Sequence, residues 1–485
     1  MHRFLTLTTR IGAALLVAIA LGSCGDDDSN PIVPDGPEPK APANLAFTNV
    51  THCEATISWS DQATNETGYK IYRRAASEAT ESIIFIIASD TTNSASAATY
   101  RDIGLSGSTA YTYRIESYNA DGARSASVMT TTLAAPNDYS CISRFFGIGA
   151  SYLGEDGLPP LMTALSLPMD IAFAPDGRPI ILDWNNHRLR SVENGLSETI
   201  LGTGYLGDGS GSDPALVALN HPTNVSFDGE GRILVSAWHN SKIMRLDLEA
   251  NLVETICGDG SRSFDGDGGP ALIAKLDLPV STAADASGNI YILDQANQCV
   301  RKIDGVTQAI STVVGVPKTA GFGGDGGPGA LALLSLPRGQ MGTPNARMIM
   351  AADGSLLIVD SINQRIRRWD PVADIITTVA GTGAKGYSGD NGAATSATLR
   401  DPADIAVDSA GNLYIADTGN HCIRKVDATG TITTFAGQGG LSGSTGDGGS
   451  PLQAKLNRPY GVAVDADDNV YIADAINNTI RVIRK

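Results

Sequence analysis

Short runs of alternating apolar and polar residues dominate the chain, and glycine, proline and asparagine separate them. Between positions 42 and 134, such runs cover Ala55–Trp59, Tyr69–Arg73, Ile83–Ile87 and Tyr111–Tyr118. A period of two is typical of strands that bury one face. The pattern therefore predicts an all-β chain whose residues 42–134 form a β-sandwich.

A repeat fills the remainder of the sequence. The string Gly411–Asp417 (GNLYIAD) returns as Asp468–Asp474 (DNVYIAD), and the successive copies are 54, 57, 66, 57 and 57 residues apart. A period of this length predicts one four-stranded blade per copy. Six copies predict a six-bladed β-propeller over residues 141–485. The related strings end at Asp183, Ala237, Asp294 and Asp360.

The two ends of the repeat predict how the ring closes. The last copy stops after its third strand, at Ile480–Lys485. Residues 141–147 (CISRFFG) have the character of an outer strand such as Ile432–Gly437. We expect them to complete the last blade, which would remove two open sheet edges.

Particular motifs add family resemblances to these patterns. Trp59, the string Gly68–Arg73, and Leu105 followed by Tyr111 resemble a fibronectin type III domain, which implies an immunoglobulin-like sandwich. No Arg-Gly-Asp tripeptide occurs, so we interpret this domain as a spacer. The string Asn420–Lys425 and the Gly-Asp-Gly-Gly-Pro-Ala loops resemble NHL repeats of bacterial exported proteins and of teneurins, which implies a propeller.

The N-terminus reads as an export signal. A basic start precedes the apolar run Ile11–Leu21, and Leu21-Gly22-Ser23-Cys24 resembles a bacterial lipobox. The resemblance implies a signal peptide at 1–23 and acylation of Cys24, with an acidic, proline-rich tether at 24–41. Gly25, rather than aspartate, favours an outer-membrane lipoprotein that is periplasmic or faces the surface. The alternative is a cleaved secretory signal with an incidental cysteine.

Charge limits the partners. The 485-residue chain has a formal net charge of −17, so its surface repels phosphate backbones and we exclude nucleic acid. The expected partners are a membrane, through the lipid anchor, and a protein or carbohydrate ligand. The preferred function is non-catalytic binding in the cell envelope.

Residues shared by most copies predict structure rather than function. Five copies carry an aspartate with an arginine seven positions later, whereas the second copy has Ala237 and Met244. Joint loss of both charges indicates buried or half-buried ion pairs, because one charge alone would stay uncompensated. A ligand site is the alternative. The pairs are Asp183 with Arg190, Asp294 with Arg301, Asp360 with Arg367, Asp417 with Arg424, and Asp474 with Arg481.

Residues that break the repeat are the candidates for ligand binding. Trp184 and Trp238 occupy the same turn in adjacent copies, and Arg338 and Tyr460 follow loop prolines. Tryptophan, tyrosine and arginine dominate the energetics of contact sites. We expect both indoles to be exposed side by side on the face that carries the long loops. The alternative is that both pack beneath the loops.

An enzyme remains the alternative function. Six-bladed lactonases resemble this architecture, and Asp170, Asn224 and Asp404 are expected to converge on the central channel, where they could hold Ca²⁺. This alternative is a metal-dependent hydrolase, lactonase or lyase. The propeller histidines form no His-x-x-x-His motif, so no cofactor is predicted. Cys53 and Cys141 can pair if the sandwich docks on the propeller, but the connectivity stays open.

Overall fold

A computed structural model describes residues 38–88, 97–134, 141–209, 212–338 and 344–485. The predicted signal peptide, Cys24 and most of the tether lie outside the described residues. Within the described ranges, no helix has the length and apolar character needed to cross a bilayer.

The N-terminal domain is a sandwich of two antiparallel sheets, ordered β1-β2-β5 and β4-β3-β6-β7. Its core contains Trp59, Ile71 and Tyr113, each at most 1% exposed. The Ser106 N–H donates to the Tyr111 hydroxyl at 2.9 Å, the contact expected of a tyrosine corner. The strands are β1 Ala43–Val50, β2 Glu54–Ser60, β3 Gly68–Ala75, β4 Ser82–Ala88, β5 Ala97–Ile103, β6 Ala110–Tyr118 and β7 Ala123–Thr131.

The described residues between 141 and 485 form six antiparallel sheets with four main strands each, and one sheet carries an additional two-residue strand, β25. The strands before residue 315 are β8 Ile142–Phe146, β9 Pro168–Phe173, β10 Pro179–Asp183, β11 Arg188–Glu193, β12 Leu196–Leu201, β13 Pro222–Phe227, β14 Ile233–Ala237, β15 Lys242–Asp247, β16 Leu252–Cys257, β17 Pro279–Ala284, β18 Ile290–Asp294, β19 Cys299–Ile303 and β20 Ile310–Val314. The later strands are β21 Met348–Met350, β22 Leu356–Asp360, β23 Arg365–Asp370, β24 Ile375–Ala380, β25 Gly392–Ala393, β26 Asp404–Val407, β27 Leu413–Asp417, β28 Cys422–Val426, β29 Thr431–Ala436, β30 Pro459–Val464, β31 Val470–Asp474 and β32 Thr479–Ile483.

The sheets close into a ring. Their first strands contact one another in the order β9, β13, β17, β21, β26 and β30, and β30 contacts β9. Strand β8 pairs antiparallel with β32, with Phe146 opposite Ile480 and Ile142 opposite Ile483. The first segment of the ring thus supplies the outer strand of the last sheet, so neither edge of this junction is left open.

Short 3₁₀ turns mark two kinds of connection in the ring. Four of them join second to third strands, and their C-cap residues are left-handed; His187, for example, has φ 52°. The others lie in the loops that link successive sheets. The 3₁₀ turns are Pro160–Met162, Trp184–Asn186, Pro214–Leu216, Trp238–Asn240, Ala271–Ile273, Gly329–Leu331, Ala394–Ser396, Thr418–Asn420, Pro451–Gln453 and Ala475–Asn477.

A disulfide joins the two domains. Cys53, just before β2, is bonded to Cys141, just before β8, with Cα atoms 5.9 Å apart. The Arg484 guanidinium also donates to the Gly104 carbonyl. The sandwich is therefore held against the last sheet of the ring.

Candidate functional site

The predicted ion pairs are buried contacts in four of the five repeats. Arg301, Arg367 and Arg424 are 0% exposed. Each arginine lies on the strand beside its aspartate, two positions from the residue directly opposite, so both side chains share one face. The distances are 3.9 Å for Asp294–Arg301, 3.3 Å for Asp360–Arg367, 3.5 Å for Asp417–Arg424 and 3.8 Å for Asp474–Arg481.

The pairing expected between Asp183 and Arg190 is wrong. Asp183 pairs with Arg188, which lies directly opposite it on β11, at 3.1 Å. Arg190 instead binds the loop carboxylate of Asp156 at 2.7 Å. Arg188 competes for the aspartate in the first repeat, whereas its equivalent in the fourth repeat, Arg365, donates to the Asn363 and Thr382 carbonyls instead.

Aspartates of the linking loops are the shorter-range partners of these arginines. Arg301 reaches Asp267 at 2.6 Å, and Phe264 of the same loop lies 4.8 Å from the guanidinium. Each arginine therefore ties the strand hairpin to the loop that leads to its sheet. The equivalent contacts are Arg367–Asp325 at 2.7 Å, Arg424–Asp390 at 2.6 Å and Arg481–Asp447 at 2.7 Å.

Electrostatics agree with a structural role for the ion pairs. Burial raises the pKa of Asp294 to about 7 and that of Asp474 to about 6, although nearby hydrogen-bond donors and arginines oppose the shift. Asp294 also accepts hydrogen bonds from the Asp277 N–H and the Asn297 amide, both at 2.8 Å. These carboxylates have their acceptors filled by the protein and offer no open position to a ligand.

The second repeat lacks the Asp–Arg ion pair, and other contacts replace it. Ala237 replaces the aspartate, and the Asn240 side chain accepts the hydrogen bond from the Asn220 N–H at 2.9 Å. The Asn240 amide still donates to the Gly207 carbonyl at 3.0 Å. Lys242 pairs with the loop residue Asp208 at 2.9 Å. The joint loss of Asp and Arg is therefore compensated locally.

The central channel is lined by one position of each first strand. Met348 pairs with Ile358 as Ile405 pairs with Ile415, so Arg347 is the structural equivalent of Asp404. Asp170, Asn224 and Asp404 each lie two positions beyond a loop proline, but in the fourth repeat that spacing from Pro337 gives Gly339 and does not identify the channel residue. The residues that follow Pro337 are an insertion, which shifts the strand. The channel position is thus held by Asp170, Asn224, Ser281, Arg347, Asp404 and Gly461.

Most of these channel side chains connect neighbouring sheets. In four of the six sheets, the side-chain oxygen of the channel residue accepts a hydrogen bond from a backbone N–H in the first strand of the next sheet. Asn224 also donates to Asp170 at 3.0 Å. The four contacts are Val225 N–H to Asp170 at 3.0 Å, Thr282 N–H to Asn224 at 2.8 Å, Met348 N–H to Ser281 at 3.1 Å and Val462 N–H to Asp404 at 2.9 Å.

A guanidinium supplies positive charge where a divalent cation was considered. Arg347 Nη2 lies 3.7 Å from Asp170 Oδ2, and Arg347 donates to the Val280 carbonyl at 3.2 Å. Burial and the neighbouring Asp170 raise the pKa of Asp404 to about 7. Asp170, Asn224 and Asp404 are near one another, as expected, but their oxygens are engaged by backbone amides. This donor set does not suit a metal, and we derive no step from one.

The expectation of two exposed, adjacent indoles is wrong for Trp238, which is 1% exposed. His239 stacks on its ring at 4.1 Å, and the core that includes Leu278 and Leu336 surrounds it. Trp184 is half-buried at the junction of two cores. Tyr460 is 8% exposed, and Arg338 is exposed and donates to the Lys318 carbonyl at 2.9 Å.

Two tryptophans and three histidines that are apart in the sequence lie close together in the fold. His221 lies between Trp184 and His187, with ring centroids 4.5 and 4.4 Å away, and His239 is 5.1 Å from His221. We call Trp184, His187, His221, Trp238 and His239 the aromatic–histidine cluster. It lies where the turns between second and third strands meet the linking loops of the first two sheets, and Trp184, His221 and His239 are partly exposed.

Two of these histidines are held neutral at pH 7. Burial, with the neighbouring His187 and His239, lowers the pKa of His221 to about 4. Burial and His239 also lower the pKa of His187. His187 Nδ1 accepts a hydrogen bond from the His221 N–H at 3.2 Å, as His421 Nδ1 does from the Arg458 N–H at 3.1 Å. His187 therefore fills a recurrent structural position, whereas His221 and His239 are particular to the second repeat.

Comparisons with known proteins agree with this architecture. Residues 40–132 match the fibronectin type III domain, and residues 371–445 match the teneurin NHL domain. The first match spans the sandwich, and the second lies within the repeat region. Teneurin-1 of Mus musculus is 28% identical over 351 residues, which is 66% of this chain but 12% of the teneurin.

A second curated protein is similar to part of the chain. The chloroplastic protein Suppressor of quenching 1 of Arabidopsis thaliana is 27% identical over 295 residues, or 58% of this chain and 27% of that protein. The chain thus spans about a quarter or less of the length of these curated relatives.

Solved structures share the fold of both domains. A Bacteroides thetaiotaomicron protein of unknown function has a TM-score of 0.55 at 18% identity, covering 92% of this chain and 98% of that one. An auxiliary nutrient binding protein of the same organism has a TM-score of 0.52 at 16% identity, covering 92% and 97%. At these identities the similarity concerns the fold alone.

Proposed function

We propose that the chain is a cell-envelope lipoprotein whose NHL repeats form a six-bladed propeller, and that it binds a protein or carbohydrate ligand at the aromatic–histidine cluster without catalysing a reaction. The observation that carries this proposal is the position of His221 between Trp184, whose ring is tilted against it, and His187, whose ring meets it edge-on, on the loop face. Partly exposed aromatic rings beside polar edges suit contact with a ligand.

Two further observations support a binding role. The ion pairs and the channel side chains are engaged in contacts within the protein. The residues that remain available to a ligand are those that differ from the equivalent positions of the other repeats. The Trp184 indole N–H has no acceptor among the described residues, and buried donors normally have one. One protein with this fold is described as an auxiliary nutrient binding protein, which is consistent with the proposal.

The test is a glycan and peptide array probed with the Cys24→Ser chain, followed by titration of the strongest binder. Trp184→Ala and His221→Gln should each weaken binding by more than about 1 kcal/mol, the usual threshold for a significant interface residue. Val306→Ala is the matched control, because Val306 is 88% exposed in a turn at the opposite ends of the strands. Undiminished binding by both cluster variants would contradict the proposal.

The membrane anchor is a separate part of the proposal. Cys24 follows a lipobox-like string, and several acyl chains give stable anchoring. Cys24→Ser should move the protein out of the membrane fraction and abolish labelling with radioactive palmitate. A variant that stays in the membrane fraction and still carries the label would refute lipidation at Cys24.

A further inference from the structure

A cleft of about 850 Å³ separates the sandwich from the first and last sheets of the ring. The Cys53–Cys141 disulfide and the Arg484–Gly104 contact tie the two domains together. Strand β4 adds another contact, where the Ile86 N–H donates to the Met162 sulfur at 3.3 Å. A preformed cleft of this size at a domain interface is a common setting for a ligand site.

The cleft lies away from the aromatic–histidine cluster. Its ring wall includes the turn Asp176–Arg178, which joins β9 to β10, and the turn around Asp467, which joins β30 to β31. The cluster is built on turns between second and third strands. These two kinds of turn lie at opposite ends of the strands, so the cleft is a separate site.

Charged side chains of both signs line the cleft, and several pair within one wall. Arg73 lies 3.0 Å from Asp102 on the sandwich, and Arg178 lies 2.6 Å from Asp176 on the ring. An anionic ligand would meet more carboxylates than guanidinium groups, whereas a cationic ligand would face arginines on both walls. The charged lining residues are Arg73, Arg144, Arg178, Arg484, Glu78, Glu81, Asp102, Asp176, Asp465 and Asp467.

A neutral ligand rich in hydroxyl groups can bind both the carboxylates and the guanidinium groups of this lining. Its hydroxyls donate to carboxylates and accept from guanidinium groups, and charge-assisted hydrogen bonds are the stronger kind. Phe145 contributes a half-buried ring to the ring wall, held edge-on against Tyr471 with centroids 5.1 Å apart. An aromatic ring offers the apolar face of a sugar a flat surface on which to pack.

We propose that this cleft binds a neutral oligosaccharide, with Phe145 packing against a sugar ring and Arg178 and Asp467 hydrogen bonding to its hydroxyls. Arg178 is half-buried and Asp467 is exposed, so both side chains are accessible to a ligand. The disulfide fixes the separation of the two walls. This site does not depend on the aromatic–histidine cluster. A failure of the cleft proposal would therefore not affect the proposal that the cluster binds a ligand, and the reverse also holds.

The test is calorimetric titration of the full chain with maltohexaose, cellohexaose, xylohexaose and mannohexaose, and with hexagalacturonate as the anionic probe. At least one neutral hexasaccharide should bind, and Arg178→Gln and Asp467→Asn should each weaken it tenfold or more. Trp184→Ala in the cluster and Arg368→Gln, in an exposed pair with Asp353 on the fourth sheet, should leave the affinity within twofold.

Hydrogen exchange gives a readout that does not depend on the variants. The bound sugar should protect residues 78–84 of the sandwich and 465–471 of the ring. Three results would overturn the proposal: no neutral hexasaccharide binds at millimolar concentration, hexagalacturonate binds more tightly than all four, or protection is confined to 184–187 and 238–241. The last result would place the sugar at the cluster instead.

Discussion

Arg347 and Asp170 meet in the central channel, with Nη2 of the arginine 3.7 Å from Oδ2 of the aspartate. They belong to the fourth and first sheets of the ring, and both are almost fully buried. Arg347 also reaches the Val280 carbonyl of the third sheet. The Arg347 guanidinium therefore links the fourth sheet to the first and third sheets, and it offsets the charge of the channel carboxylates.

Arg347→Met should destabilise the protein by about 3–5 kcal/mol, because it leaves buried carboxylates without a compensating charge. The loss should be larger at pH 8 than at pH 5. Asp404 has a folded pKa of about 7, above its unfolded value, so stability is lost as the pH rises through 7. Urea unfolding at the two pH values measures both effects. Equal stability of Arg347→Met and wild type at pH 8 would refute the compensating role.

Arg301→Met should cost about 3–5 kcal/mol, since Asp294 and Asp267 both lose their buried partner. The double variant Asp294→Ala/Arg301→Met should cost less than the single variant, because the second repeat already tolerates Ala237 with Met244. Arg368→Met, which breaks a pair with Asp353 whose side chains are both exposed, should change stability by about 0–1 kcal/mol. Denaturant midpoints of the four proteins decide this; a double variant less stable than the single one would contradict it.

The strands and the repeat could be predicted from the sequence because their signals are local. In β6 the residues from Tyr111 to Ser117 alternate between buried and half-buried, as a period of two requires. The repeat places the outer strand of the last sheet at residues 141–147, and β8 lies there. Such signals can be read from neighbouring residues along the chain, or by comparing copies of the same string.

The channel and the cluster depend on contacts that the sequence does not display. Arg347 enters the channel because an insertion after Pro337 shifts the first strand of its sheet, and only strand pairing reveals the new register. His221 and His239 come from two different connections, so their edge-to-face contact requires the folded loops. The burial of Trp238 likewise depends on His239 and on the core of the next sheet. Side-chain type alone could not separate an exposed indole from an enclosed one.

Removing the interdomain disulfide should loosen the sandwich from the ring. The bridge closes a segment of 88 residues, and the double variant Cys53→Ser/Cys141→Ser should lose about 2–4 kcal/mol, the usual effect of a disulfide. Calorimetry should show a lower melting temperature for the sandwich. A thiol reductant should lower the wild-type melting temperature to that of the variant and leave the variant unchanged. A wild type insensitive to reductant would contradict the stabilising role of the bridge.

Acidification should destabilise the loop face through His221. Its folded pKa of about 4 lies below the value of about 6.5 expected in the unfolded chain, so the unfolded state binds more protons between these pH values. Stability should therefore fall as the pH is lowered from 6.5 towards 4, because protonation places a charge beside His187 and His239. His221→Gln removes the titrating group and keeps a polar side chain. The variant should lose less stability than wild type between pH 7.5 and pH 5, as measured by urea midpoints. Val306→Ala, in an exposed turn at the opposite ends of the strands, provides the control and should retain the wild-type pH dependence. If His221→Gln and wild type lose equal stability over this range, the cluster does not hold His221 in its neutral form.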